Sequence, residues 1–319
     1  MPEGYKVDIS KAVGHTYPPD IVACTRRDYL LYALSVGVPE NDLQWLYELD
    51  INFGPLPTYP LCLLLKADDW DVNSFIERWS SGGPLPGVPP YDFNKIVHGE
   101  QSFEVIQPFP TEGGRFKLIK KCVGVYDKGS GMVIDSRVDL YGEEDDVHYC
   151  RMSSKMFIRG YGGWNGPKGP KPVIYDPPLR DPDVIDSFKT APNQALLYRL
   201  SGDFNPLHAD IHLASAVGFH KPILHGLCSY GKCAHSIIKY FGDNDRTRFK
   251  SMEARFAQPV FPGETIEILM WKVPTTIRHN SATNLDTIIF QARVKERNVF
   301  VLTNGYALLY KKDNTFAKI

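Results

Sequence analysis

No run of about 18 consecutive apolar residues occurs in the 319-residue chain, so nothing in it is built to cross a membrane as a helix. The N-terminal stretch MPEGYKVDISKAVGHTYPPD lacks the apolar core of a secretory signal. An excess of charge is also missing. Lys and Arg total 36 against 37 Asp and Glu, for a net charge of −1. That balance excludes a broad face for nucleic acid or anionic lipid and leaves only a local basic cluster to hold a phosphate. Cys-x-x-Cys pairs are absent; the six cysteines (Cys24, Cys62, Cys122, Cys150, Cys228, Cys233) are scattered through a chain too long to need disulfide staples. They read as reduced, mostly buried thiols of an intracellular protein. There is no Gly-x-Gly-x-x-Gly fingerprint, and the glycine-rich stretches SGGPLPG and GYGGWNGPKGP do not end in Gly-Lys-Ser/Thr, so neither a dinucleotide fold nor a P-loop is indicated.

What is present describes a globular protein in two parts. A 43% hydrophobic content is ordinary for a packed chain, and this length favours two domains at about 100–200 residues each. Residues 160–185 are dense in Gly and Pro without helical or strand period, and read as a linker. They separate an N-terminal half, 1–159, from a C-terminal half, 186–319. In the first half TRRDYLLYALSVGV has Thr25 in a cap position, Asp28 three residues on, and Tyr29, Tyr32, Ala33 and Val36 at helical spacing. DLQWLYE is a second short helix candidate. Residues 116–126 and 132–141 are β-rich runs joined by the turn DKGSG. In the second half a polar segment precedes a helix over 225–241 with an apolar face at Leu227, Tyr230, Ala234, Ile237 and Ile238. Strand-like runs follow at 264–273, 286–296 and 298–311. A helix followed by long antiparallel strands predicts an α+β fold in which a sheet wraps a helix. KIVHGE and PILHGL share an aliphatic-His-Gly step, a faint sign of duplication.

The chemistry concentrates in YRLSGDFNPLHAD. Asn205-Pro206 favours a turn, because a residue before proline avoids the helical region. Such a turn brings Asp203 toward His208, and a carboxylate and an imidazole around one water form an acid–base unit, with Asn205 orienting the water and Phe204 and Leu207 excluding bulk solvent. An ordinary Asx turn with a structural histidine is the competing reading, and the residues alone favour it. The alternation of His208, Asp210 and His212 raises a metal site, but the helix-like sequence that follows would splay these side chains, so no metal is expected. Downstream, KPILHGLCSYG starts a helix at Gly226, whose N–H could be approached closely and could hold a polarised carbonyl oxygen.

YRLSGDFNPLHAD together with VGFHKPILHGLCSYG resembles the motif of the (R)-specific 2-enoyl-CoA hydratases, the hydratase 2 family. TRRDYLLYALSVG, IVHGEQSFEVIQPFPTEGG and RFKSMEARFAQPVFPGETIEI extend the resemblance over most of the chain to the hydratase part of peroxisomal multifunctional β-oxidation enzymes. The resemblance implies a double hot-dog fold, a catalytic C-terminal half, and an N-terminal half that gave up catalysis to accommodate bulky acyl chains. It implies reversible hydration of trans-2-enoyl-CoA to (3R)-3-hydroxyacyl-CoA by Asp203, His208 and Asn205, with Gly226 N–H on the thioester oxygen. No cofactor is needed beyond the CoA of the substrate. The resemblance places the CoA arm near His98, Gly99, Lys128 and Phe256, with Phe204, Pro206 and Leu207 lining the turn. It further implies a homodimer, fusion in relatives to (3R)-hydroxyacyl-CoA dehydrogenase domains, and a peroxisomal location. The C-terminal Ala317-Lys318-Ile319 is similar to the Ser-Lys-Leu address read by the peroxisomal import receptor. Another thioester enzyme of the same fold, a thioesterase or dehydratase, and a non-catalytic acyl-CoA-binding module are the alternatives.

Overall fold

The computed structural model describes residues 6–68, 70–274 and 284–312, which leaves the C-terminal tripeptide outside the described residues. The strands are β1 (Asp20–Thr25), β2 (Ile96–Val105), β3 (Gly113–Asp127), β4 (Gly131–Gly142), β5 (His148–Arg159), β6 (Val184–Lys189), β7 (Phe249–Phe256), β8 (Thr265–Val273), β9 (Leu285–Val294) and β10 (Val299–Tyr310). They form one 10-stranded sheet in the order β1-β3-β4-β5-β2-β7-β10-β9-β8-β6. Each half therefore runs first, third, fourth, fifth, second from its edge, and the two second strands meet at the centre. That seam is antiparallel, with Glu100 opposite Arg255 and Glu104 opposite Ser251.

The helices are α1 (Ile9–Ala12), α2 (Arg26–Ser35), α3 (Leu43–Leu46), α4 (Pro60–Lys66), α5 (Phe75–Ser80), α6 (Gln194–Tyr198), α7 (Ile211–Ala216) and α8 (Gly226–Phe241). The α2 start is the one its sequence predicts: the Asp28 carboxylate accepts the Thr25 N–H at 2.7 Å, closing a capping box. Helix α8 is the central helix of the second half. Every residue from Cys228 to Ile238 is buried, including the polar ones, because the sheet curls around it and packs β7, β8, β9 and β10 against it. A single apolar core containing Tyr29, Phe103, Met152, Tyr198, Ile237 and Ile288 joins the two halves. Together these make a double hot-dog fold.

The duplication is visible in residues that the aliphatic-His-Gly echo did not mark. LLYALS (residues 30–35) and LLYRLS (196–201) match, as do Leu61-Cys62 with Lys66 and Leu227-Cys228 with Lys232, at the same interval along the chain. Matching residues meet in space: the Ser35 and Ser201 hydroxyls are 3.3 Å apart and the Tyr32 and Tyr198 rings 6.1 Å apart. The echo instead paired His98, inside β2, with His225, at the start of α8, and these are not equivalent places in the fold. The true counterpart of α8 is α4, whose N-terminal Pro60 is tolerated because the first helical N–H has no intrahelical acceptor.

Residues 160–183 contain no regular element, yet they are fastened to the sheet. The buried Asp127 carboxylate accepts the N–H groups of Gly129 and Gly163, both at 2.8 Å. Those backbone donors, Gly163 first, draw its pKa down to about 2. Further along, Tyr175 stacks on Tyr306 at 4.3 Å and covers the apolar outer patch of Leu269, Trp271 and Leu308. The segment is a strap, and its last two residues in the span read as linker, Val184 and Ile185, already belong to β6.

Candidate active site

The catalytic-looking turn is folded by its own side chains. Gly202 ends the 3-10 turn Arg199–Ser201 with φ of 127°, and a Cβ there would lie 2.5 Å from the Lys66 side chain, so glycine is required. Asp203 accepts the Asn205 N–H at 3.2 Å through Oδ1, and Asn205 Oδ1 accepts the Leu207 N–H at 3.0 Å. These two Asx-type bonds wind the chain into the 3-10 turn Pro206–His208. The turn is thus both an ordinary Asx structure and a device that turns His208 back toward Asp203.

The His208 ring is tethered at one nitrogen. Its Nδ1 lies 2.8 Å from the Ile223 carbonyl oxygen, so the proton sits on Nδ1 and Nε2 keeps its lone pair. Above it stacks His225, the N-cap of α8, with ring centroids 3.6 Å apart and planes 27° from parallel. His225 Nε2 donates to the Asp203 carbonyl oxygen at 3.2 Å, which leaves Nδ1 with a lone pair and no hydrogen-bond partner. Asp203, His208 and His225 each present a side-chain atom within 4.8 Å of the others. A metal could be considered on spacing alone. Imidazole lone pairs lie in the ring planes, however, and face-to-face rings hold them side by side rather than aimed at one point. Asp210 and His212 do not join the cluster; Asp210 caps α7 by accepting the His212 N–H at 2.7 Å.

At the start of α8 the first N–H groups have no intrahelical acceptors. Gly226 occupies that first position beside the Phe256 ring: a Cβ would lie 2.8 Å from its carbon atoms. Phe256 in turn packs at a tilt against His98, ring centroids 4.6 Å apart, bringing the end of β7 and the start of β2 to the same place. Gly99 sits at a register shift in β2 between His98 and Glu100. Phe204 is buried beneath the Arg199 guanidinium, 5.1 Å away. The structure thus brings Asp203, His208, Gly226, Phe256 and His98 together. Lys128 stands apart on the β3–β4 turn, where its ammonium donates to the Lys168 carbonyl oxygen. The sequence reading missed His225. Its signal was the position immediately before Gly226, overlooked because only the glycine suggested chemistry.

Burial sets the protonation states. It lifts the Asp203 carboxyl above the ordinary carboxylate range, opposed by the adjacent His208. It lowers the pKa of the His208 imidazolium below its ordinary value, opposed by Asp203. His225 is pushed down further, by burial and then by His208. The His208 imidazole therefore remains neutral, and able to accept a proton, at pH values where an exposed histidine is already charged. We expect kcat/KM to stay level as pH falls through 6.5 and to drop on the acid side of it; an acid limb above 6.5 in a pH–rate profile would contradict this.

The equivalent place in the first half has lost these groups. Counting outward from the matched LLYxLS and Leu-Cys segments, Gly37 stands for Asp203, Asp42 for His208, Tyr59 for His225 and Pro60 for Gly226. Asp42 is committed to the buried His235 at 3.0 Å. The corresponding cleft is mostly apolar, walled by Pro55, Pro57, Pro60, Phe103 and Phe109, with Gln107, Arg246 and Thr247 also lining it.

Residues 23–160 match the MFE-2 hydratase 2 N-terminal domain model and residues 175–289 the MaoC like domain model. A probable enoyl-CoA hydratase 2 of Dictyostelium discoideum is 36% identical over 95% of this chain and 97% of its own. The peroxisomal multifunctional enzyme type 2 of Mus musculus is 37% identical over 92% of this chain, which spans 38% of that longer protein. The crystal structure of a MaoC-like dehydratase from Phytophthora capsici superposes with a TM-score of 0.85 at 38% identity, covering 96% of this chain and 99% of that one. With relatives matched over nearly their whole length at this identity, the chain belongs to the hydratase 2 family of MaoC-like proteins.

Proposed function

We propose that this protein reversibly hydrates trans-2-enoyl-CoA to (3R)-3-hydroxyacyl-CoA. The observation that carries the reading is a lone-pair-bearing His208 Nε2 and the Asp203 carboxyl, held together beside the free N–H of Gly226. A water gripped by the pair gives up a proton as its oxygen bonds to C3. The electrons of the C2–C3 double bond move toward the thioester oxygen, where the Gly226 N–H stabilises the developing charge. The proton taken by the pair returns to C2 from the same side, so one water is added across one face. Nothing is oxidised or reduced, and the CoA arm is the handle of the substrate. We place that arm along His98, Gly99 and Phe256, with Lys128 nearer its phosphates, and the acyl tail against the apolar N-terminal half. Relatives named peroxisomal support a peroxisomal location. The test is absorbance of the conjugated enoyl thioester: hydration removes it without releasing free thiol. Thiol release would mean a thioesterase, and no change would mean a binding module.

A further inference from the structure

The two loops of the site brace each other in a reciprocal way. His208, on the turn, donates to the carbonyl of Ile223, which leads into α8. His225, at the head of α8, donates to the carbonyl of Asp203, on the turn. The two rings stack between these bonds at 3.6 Å. His225 is 1% exposed, and on its other side the Tyr198 ring lies 4.8 Å away. It therefore touches both parts of the apparatus: the turn that holds the acid–base pair and the helix start that holds the oxyanion donor.

Resting on the reading above, we propose that His225 is a positioning residue that fixes the separation of the His208 base from the Gly226 donor and shields the His208 ring from water. It forms no bond to substrate in this account. Its donor bond sets the geometry, and its ring supplies the dry face. These are separable, because a different substitution removes each. The charged and titratable groups facing the pair are Asp203, Arg199 from the preceding 3-10 turn, and Tyr198 from α6, whose ring packs on His225. His225 itself stays neutral among them, so a proton passing through His208 is not repelled by a second charge.

The experiment compares kcat, KM and the pH profile of His225→Phe, His225→Gln and wild type on a trans-2-enoyl-CoA, with melting temperatures recorded. His225→Phe keeps an apolar ring over His208 but loses the donor. We expect kcat to fall about 10²-fold, KM to stay near wild type, and the acid limb not to move, since loss of alignment by about 1 Å costs that much. His225→Gln keeps an N–H for the Asp203 carbonyl but loses the ring. We expect kcat within about tenfold of wild type and the acid limb displaced to higher pH, as water reaches His208. A purely structural role would lower the melting temperature and leave the pH profile alone. Wild-type kcat in the folded Phe variant, or an unmoved limb in the Gln variant, overturns the proposal. If the Phe variant fails to fold, the limb in the Gln variant decides alone. A wild-type protein that does not hydrate the substrate would instead sink the proposed function.

Discussion

Replacing His208 with glutamine is expected to lower kcat on trans-2-enoyl-CoA by about 10²–10⁴-fold, the usual worth of a positioned general base. Glutamine is the informative substitution. Its amide N–H can still donate to the Ile223 carbonyl that now accepts from Nδ1, and its bulk still fills the space beneath His225. What it lacks is a basic lone pair where Nε2 stands. KM should change little, because the lost interaction is with the reacting water rather than the CoA arm. Asp203→Asn should fall in the same range. It preserves shape and can still accept the Asn205 N–H, but it removes the charge that offsets burial of His208 when that ring takes up a proton. Steady-state kinetics checks both, and the double variant should be little worse than either single one if the residues act as a unit. A His208→Gln enzyme within tenfold of wild type would mean that the proton is handled elsewhere.

Gly226→Val is expected to lower kcat/KM by about 10²–10³-fold, the cost of losing one oxyanion donor, with KM raised as well. Two effects converge. The new Cβ would lie 2.8 Å from the Phe256 ring, a separation real atoms do not sustain, so Phe256 must leave its contact with His98. The branched side chain also stands over the N–H that the thioester oxygen must reach. Fold stability should suffer less than activity, because the start of α8 is the open end of an otherwise buried helix. Near wild-type kcat/KM in Gly226→Val, with the protein folded, would remove this N–H from the account.

Much of the fold can be read from patterns that obey local rules. The amphipathic α8, the capping box of α2, the hairpin between β3 and β4, and the three strands β8 to β10 all appear where periodicity and turn chemistry place them. Other elements do not announce themselves. Strand β6 is a polar edge strand embedded in proline-rich sequence, with side chains alternating between half-buried and exposed. Strand β7 carries charges such as Glu253 and Arg255 because its outer face lies at the solvated seam. Helix α4 follows Pro55 and Pro57 and itself begins on Pro60, and only the pairing with α8 explains why it is there. The aliphatic-His-Gly echo led to the idea of duplication but through residues that are not equivalent. The real repeat had kept its packing residues, Tyr32 with Tyr198 and Ser35 with Ser201, rather than its chemistry. At the site, Asp203 and His208 were legible because a turn motif joins them in sequence. His225 was not, because its partners, Asp203 and His208, lie on another loop and only folding brings them to it. The same holds for the strap: composition shows Gly and Pro, while the bond from Gly163 to Asp127 that fastens it spans distant parts of the chain.

In the proposed reaction one acid–base pair adds water to a single face of a conjugated thioester held by Gly226 and the Phe256–His98 platform. The most direct measurement is chiral analysis of the 3-hydroxyacyl-CoA formed from trans-2-enoyl-CoA by the wild-type protein. Membership of the hydratase 2 family and a single acid–base pair together predict the (3R) product in large excess. A (3S) or racemic product would contradict it, because water would then have reached C3 from a face that the Asp203–His208 pair does not serve.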